Sequence, residues 1–190
     1  MAAPAQELKV TPLEYLAFER ASRERHEYIA GEIFAMSGGT REHSLVSQNV
    51  AGELRSALLD RPCEVHGPDM KIKTPAAKYH YADALVLCGQ PIFEDETRDV
   101  VLNPKLVVEV LSESTERYDR GDKFKSYCTL GTLADYVLVS QTEVFVEHFH
   151  RLPDDTWLYR ALGPGEQLVL ASLGCEIPID RIYLKVFPAA

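Results

Sequence analysis

Apolar and polar residues along this chain fall into short blocks whose period switches between that of a helix and that of a strand. Thr11-Pro12-Leu13-Glu14 has the form of a helix start, with Thr as N-cap, Pro at the first helical position and Glu three residues after the cap. Residues 27–36 read as a short hairpin turning near Ala30-Gly31. Beyond the loop Ser37-Gly38-Gly39-Thr40, Val46, Val50, Leu54 and Leu58 recur at every fourth position and predict a helix over about residues 41–59. Strands are expected near residues 63–65, 69–73 and 81–88, and a polar connection runs over residues 89–104. Leu106-Val107-Val108-Glu109-Val110-Leu111 reads as a strand buried on both faces. Residues 112–118 form a loop, and Asp119-Arg120-Gly121-Asp122 caps a helix to about residue 130, with Phe124, Tyr127 and Cys128 on one face. A strand over residues 135–140 follows, then an antiparallel meander near residues 143–150, 156–160 and 168–170, and a short helix after Pro178.

This order predicts an α/β fold in which a mixed sheet is flanked by helices and carries a C-terminal antiparallel extension. With no internal repeat and no linker, residues 1–190 are expected to form a single domain, of which residues 1–10 are a flexible tail. A chain of this length buries about 70 % of its unfolded surface, enough for a sizeable core.

Composition narrows the functional classes. The chain is 46 % hydrophobic and 26 % charged, and no apolar stretch approaches the roughly 20 residues that span a bilayer, so no membrane partner is expected. Met1-Ala2-Ala3-Pro4-Ala5-Gln6-Glu7 lacks the features of a signal peptide, which makes the cytoplasm the expected location. Cys63, Cys88, Cys128 and Cys175 are scattered without metal or redox spacing and read as reduced thiols. A net charge of −9 without a basic run argues against tight nonspecific DNA binding, while an acidic metal site would itself contribute negative charge.

Glu109 is the anomaly in the pattern. A carboxylate in the middle of a buried strand costs several kcal/mol unless a metal, a cation or hydrogen-bond donors compensate. Asp83 opens another apolar run, Asp83-Ala84-Leu85-Val86-Leu87-Cys88. By strand parity Asp83 shares a face with Leu85 and Leu87, and Glu109 shares one with Val107 and Leu111. If the two strands are neighbours, both acids face one cleft and suit a hard divalent cation. Lys123, early in the following helix, is the candidate for a group that orients a water or stabilises developing charge.

Asp83, Glu109-Val110-Leu111 and Asp119-Arg120-Gly121-Asp122-Lys123-Phe124-Lys125-Ser126-Tyr127 resemble the PD-(D/E)XK nuclease superfamily, and more narrowly its Uma-two family of restriction-type endonucleases. Further stretches carry that resemblance across residues 11–150: Thr11-Pro12-Leu13-Glu14-Tyr15-Leu16, Arg25-His26-Glu27-Tyr28-Ile29-Ala30-Gly31-Glu32-Ile33, Met36-Ser37-Gly38-Gly39, Val108-Glu109-Val110-Leu111-Ser112-Glu113-Ser114-Thr115 and Asp135-Tyr136-Val137-Leu138-Val139. The resemblance implies a restriction-endonuclease-like fold and a metal-dependent endonuclease acting on DNA. Asp83, Glu109 and the Val110 carbonyl would be ligands to Mg²⁺ or Mn²⁺. Ala82 stands where the superfamily has proline, and Leu111 where it has lysine, so the lysine role would have moved to Lys123.

Plainer readings stand beside these. Glu109 could pair with a buried Arg or Lys, and Lys123 read alone is a solvated helix lysine. Lys71 and Lys73, on an exposed edge-strand face, are alternative sources of the cation. Glu27 is an auxiliary acid or an exposed hairpin carboxylate. His43 contacts a scissile phosphate or a water, or is a helix-surface or core histidine. Glu94-Asp95-Glu96 and Glu24/Arg25 read as solvated charge. The alternative to an enzyme is a non-catalytic nucleic-acid or protein-binding module on the same fold, and a homodimer is compatible with both.

Overall fold

The computed structural model describes residues 9–188. Helix α1 (Pro12–Ala21) begins as expected: the Glu14 amide donates to Thr11 Oγ1 (3.3 Å), and the Thr11 amide donates back to Glu14 Oε2 (2.8 Å). The hairpin β1 (His26–Ile29) and β2 (Glu32–Ala35) turns at Ala30 (φ 53°) and Gly31 (φ 99°), two left-handed residues that match a tight turn between twisted strands. Helix α2 (Arg41–Ala57) buries Val46, Val50 and Leu54 along its predicted stripe, which Leu58 extends. Strands β3 (Cys63–His66), β4 (Lys71–Lys73), β5 (Tyr79–Tyr81), β6 (Ala84–Cys88), β7 (Val100–Val101) and β8 (Leu106–Leu111) follow. A helical segment then comprises α3 (Glu116–Tyr118), a π-turn (Asp119–Lys123) and α4 (Phe124–Cys128). The chain continues through β9 (Asp135–Ser140), β10 (Val146–Arg151), β11 (Trp157–Leu162), β12 (Gln167–Leu170) and β13 (Cys175–Pro178) to α5 (Ile179–Ile182).

The strands form a six-stranded sheet in the order β11-β10-β9-β8-β6-β3, a five-stranded sheet in the order β2-β1-β5-β4-β7, and the β12-β13 pair. The six-stranded sheet is mixed: β8 and β9 are parallel, whereas β6 and β8 are antiparallel. Because successive side chains alternate across a strand, its two faces carry two cores. Ala84, Val86, Val108, Val110, Val137 and Val139 face α2, the β12-β13 pair and α5. Leu85, Leu87, Val107, Leu111, Tyr136 and Leu138 face Tyr127 and Phe124 of α4, together with Ile72 and Val101 of the five-stranded sheet. On the five-stranded sheet, Tyr28, Tyr79 and Val100 join Tyr15 and Leu16 of α1. The expected α/β architecture with a mixed sheet and flanking helices is therefore present, and β10 and β11 supply its antiparallel extension.

Several local expectations change. The single strand expected over residues 81–88 is broken at Ala82-Asp83, which separates β5 and β6 into different sheets. The connection over residues 89–104 contains β7, too short to leave an alternating pattern. Asp119 does not cap a helix: the helical segment already starts at Glu116, so Asp119 lies inside it. Of the expected tail, residues 1–8 lie outside the described residues, while the Val10 carbonyl accepts from Tyr28 Oη at 2.7 Å. Cys63 and Cys88, read as reduced thiols, face each other across β3 and β6 and form a disulfide, because antiparallel register closes the 25-residue separation. Strand β4 lies between β5 and β7 rather than at an edge, which buries Lys71. Glu94 is partly buried and engaged with Lys73 rather than solvated, whereas Asp95 stays exposed as read, in an ion pair with Arg20.

Candidate active site

The register between β6 and β8 pairs Ala84 with Val108 and Leu85 with Val107. One step further along the same register, Asp83 stands opposite Glu109, on the face shared with Leu85 and Val107. The break after β5 frees Asp83 from strand pairing. The Val110 amide then donates to Asp83 Oδ2 at 2.7 Å. Amide and carbonyl of one strand residue point to the same side, so the Val110 carbonyl also faces the Asp83 end of β6. The sequence-predicted trio Asp83, Glu109 and Val110 is thus brought together at one place.

Lys123 joins them from the helical segment. Phe124, stacked on Tyr136 with ring centroids 5.0 Å apart, and the buried Tyr127 hold this segment on the sheet. The π-turn ends at Lys123, and such turns recur at functional sites. Lys123 is 5 % exposed, so the solvated-lysine reading fails. Its Nζ lies 2.9 Å from Glu109 Oε1, 3.1 Å from Glu27 Oε1 and 3.6 Å from Asp119 Oδ1, and it donates to the Tyr81 carbonyl at 2.9 Å. Lys71 and Lys73 are occupied elsewhere, by Asp99 at 2.9 Å and by Glu94.

Of the two readings of Glu27, the exposed hairpin carboxylate fails: β5 pairs with β1, and Tyr118 and Lys123 close over the buried side chain. Its Oε1 accepts from the Tyr81 amide at 3.2 Å, and its Oε2 lies 3.3 Å from His80 Nδ1. His43, in the first turn of α2, is half-buried with Nε2 3.5 Å from Asp83 Oδ2. Gly39 leaves room for it: a Cβ at that position would stand 2.9 Å from His43 Nδ1. This contact gives a physical reason for glycine in the Met36-Ser37-Gly38-Gly39 stretch.

Sequence reasoning did not place Asp119, His80, Tyr118 or Tyr127 at the site. Asp119 lies four residues before Lys123, a spacing that brings helical side chains together and was the available signal. His80 in Tyr79-His80-Tyr81 is fully buried, with Nε2 3.0 Å from Ser126 Oγ. Tyr127 Oη donates to Glu109 Oε1 at 3.1 Å, and Tyr118 Oη to Glu27 Oε2 at 3.4 Å.

The electrostatics follow from this crowding. Burial pushes Glu109 well above the usual carboxylate range; Lys123 pulls it back, while Asp119 and Asp83 push it further up. Burial also raises Asp119 against the pull of Lys123. For Glu27, the Lys123 ammonium and His80 outweigh burial and hold the carboxyl at about 2. Lys123 goes up, since Glu109, Glu27 and Asp119 more than offset the burial that disfavours its charge. Burial pushes His80 down, towards the neutral imidazole. One ammonium therefore faces Glu27, Glu109 and Asp119, with Asp83 alongside, and burial works against the ionised forms of Glu109 and Asp119. The oxygen donors Asp83, Glu109 and the Val110 carbonyl fit a hard divalent cation, whose charge the cluster lacks.

Comparison with known proteins gives a consistent picture. A family model for Uma2, described as "Putative restriction endonuclease", matches residues 12–180. The uncharacterized protein slr1290 of Synechocystis is 38 % identical over 176 residues, covering 92 % of both chains. A second Synechocystis protein, the uncharacterized sll1609, is 34 % identical over 154 residues, 80 % of this chain and 87 % of its own. Among solved structures, a "putative nuclease belonging to DUF820" from Anabaena variabilis superposes with a TM-score of 0.78 at 14 % identity, covering 94 % of this chain and 99 % of that one.

Proposed function

The chain belongs to the Uma2 family, and from that membership together with the acid cluster we propose that it is a divalent-metal-dependent endonuclease hydrolysing DNA phosphodiester bonds. The observation that carries the proposal is the buried Glu109, set opposite Asp83 and left with more acid neighbours than one lysine can balance. Asp83, Glu109 and the Val110 carbonyl would hold Mg²⁺ or Mn²⁺. Such an ion, when bound, neutralises phosphate charge and acidifies a water.

The chain's own residues supply the rest. Lys123 carries a fixed positive charge beside Glu109, suited to orienting the attacking water and steadying charge on the phosphorane oxygens. Glu27 holds the Lys123 ammonium, and Tyr127 Oη holds one Glu109 oxygen, so both groups are fixed before substrate arrives. His43, half-buried next to Asp83, is suited to contact the scissile phosphate or the water. On this reading the chain acts as one domain, and a homodimer would present two sites to the two strands of DNA. Among the described residues no helix is long and apolar enough to cross a membrane.

The test is cleavage of plasmid and single-stranded DNA by wild type, Asp83→Asn and Glu109→Gln with Mg²⁺, with Mn²⁺ and with chelator. Metal-dependent cutting lost in both variants supports the proposal; cutting that survives Glu109→Gln refutes the site. The net charge of −9 favours a second reading, a non-catalytic binding module. Folded wild type that takes up no divalent cation in calorimetry and cuts neither substrate would establish that alternative.

A further inference from the structure

A second cluster of ligand-type side chains lies on the opposite face of the six-stranded sheet. Asp135 opens β9 on the face of Val137 and Val139, whereas Glu109 shares the face of Val107 and Leu111. Leu106 pairs with Asp135 and Glu109 with Leu138, so the clusters are also about 10 Å apart along the strands. His148 and His150, two residues apart on β10, project from that same face, and His150 is the direct cross-strand partner of Asp135.

Asp135 is fully buried and His148 nearly so, while the His150 ring keeps 27 % exposure. His148 Nε2 and His150 Nδ1 lie 2.7 Å and 2.8 Å from the same carboxylate oxygen, Asp135 Oδ1. One oxygen and two ring nitrogens therefore converge within 4.8 Å of one another. The other oxygen, Oδ2, accepts from Ser172 Oγ, which fixes the carboxylate plane from outside. A carboxylate held in this way beside convergent imidazoles is the arrangement that orients metal ligands.

We propose that Asp135, His148 and His150 form a binding site for a transition-metal ion of the zinc class, separate from the carboxylate site. Two imidazoles and one carboxylate match the donor preference of Zn²⁺ or Co²⁺ and disfavour Mg²⁺, whose sites are built from oxygen. A fourth position is left for water. Tetrahedral ligation with metal–ligand distances of about 2.0–2.2 Å sets ligand atoms about 3.4 Å apart. Each nitrogen–oxygen separation must then widen by about 0.6 Å, which the partly exposed His150 ring can supply by rotation and, for the buried His148, a small shift of Asp135 Oδ1 must supply. The ion would pin β9 and β10 to the segment that carries Ser172.

The decisive experiment uses the full chain with Asp83→Asn and Glu109→Gln, which takes the carboxylate site out of the measurement. After chelator treatment, Zn²⁺ is titrated by calorimetry and Co²⁺ by its visible absorption. One equivalent of Zn²⁺ and the spectrum of four-coordinate Co²⁺ with nitrogen ligands are expected. Adding His150→Gln or His148→Gln should weaken binding by more than about tenfold. Circular dichroism reports whether each variant is folded, and the half-exposed His150 variant decides the matter if His148→Gln is not. Absence of Zn²⁺ binding, or binding of equal strength in folded His150→Gln, would overturn the site and leave Asp135 as a hydrogen-bonded carboxylate only. DNA cleavage is not the readout, so failure of the nuclease reading leaves this result interpretable.

Discussion

Replacing Lys123 by methionine tests the electrostatic account of the site directly. Met keeps most of the unbranched stem and removes only the charge and its donors. In the native protein the ammonium has Glu109, Glu27 and the Tyr81 carbonyl at 2.9–3.1 Å, with Asp119 at 3.6 Å. Removing one partner of a buried pair costs about 3–5 kcal/mol, and an orphaned buried carbonyl adds about 1–3 kcal/mol. Proton uptake by the acids returns part of this, so we expect a net loss of about 3–5 kcal/mol at pH 8 in chelator. The loss must depend on pH with a definite sign. Without Lys123, the folded-state pKa values of Glu27, Glu109 and Asp119 all rise, and a raised carboxyl pKa lowers stability as pH climbs above the unfolded value. Below about pH 5 the acids take up protons, and the penalty should shrink to about 1–2 kcal/mol. Urea unfolding of wild type and Lys123→Met at pH 5 and pH 8 measures both quantities. A loss under about 1 kcal/mol at pH 8, or an equal loss at the two pH values, would refute a buried lysine shared among carboxylates.

Glu109→Gln should lose divalent-cation binding in calorimetry, while its chelator-treated stability stays within about 1 kcal/mol of wild type or rises, because burial already disfavours the ionised form. Asp99, held at about 2 chiefly by Arg20 and also by Lys71, contributes stability that is present above its unfolded value near 3.8 and is lost as pH falls towards 2. Asp99→Asn should therefore flatten the acid limb of a stability profile between about pH 4 and pH 2, as followed by acid titration with circular dichroism. Cys63→Ser should lower stability by about 3.5 kcal/mol relative to the oxidised protein, from the 25-residue loop that the disulfide closes. Equal stability with and without reductant in the wild type would contradict that estimate.

What the sequence revealed and what it concealed divides by the range of the interaction. Glu109 was legible because a single polar residue in a β-branched run violates its own local pattern, and Asp83 because parity put it on the matching face. Lys123 was legible only as a candidate, since a helix lysine shows nothing of its surroundings until the helix is laid on the sheet. Cys63 and Cys88 depend on which strands pair, and the Asp135–His148–His150 cluster depends on register across β9 and β10. Glu27 shows the cause most clearly. Its hairpin reads as an exposed ribbon, and it is β5, paired to β1 at Tyr28 and Tyr79, that brings His80 to its carboxylate, while Tyr118 and Lys123 of the helical segment close over it. Local pattern thus yields two acids and a lysine, a set left with one negative charge in excess. Tertiary structure adds Glu27 and Asp119 around the same ammonium. That addition enlarges the surplus of acid groups over the one ammonium, and the surplus is what a divalent cation would neutralise.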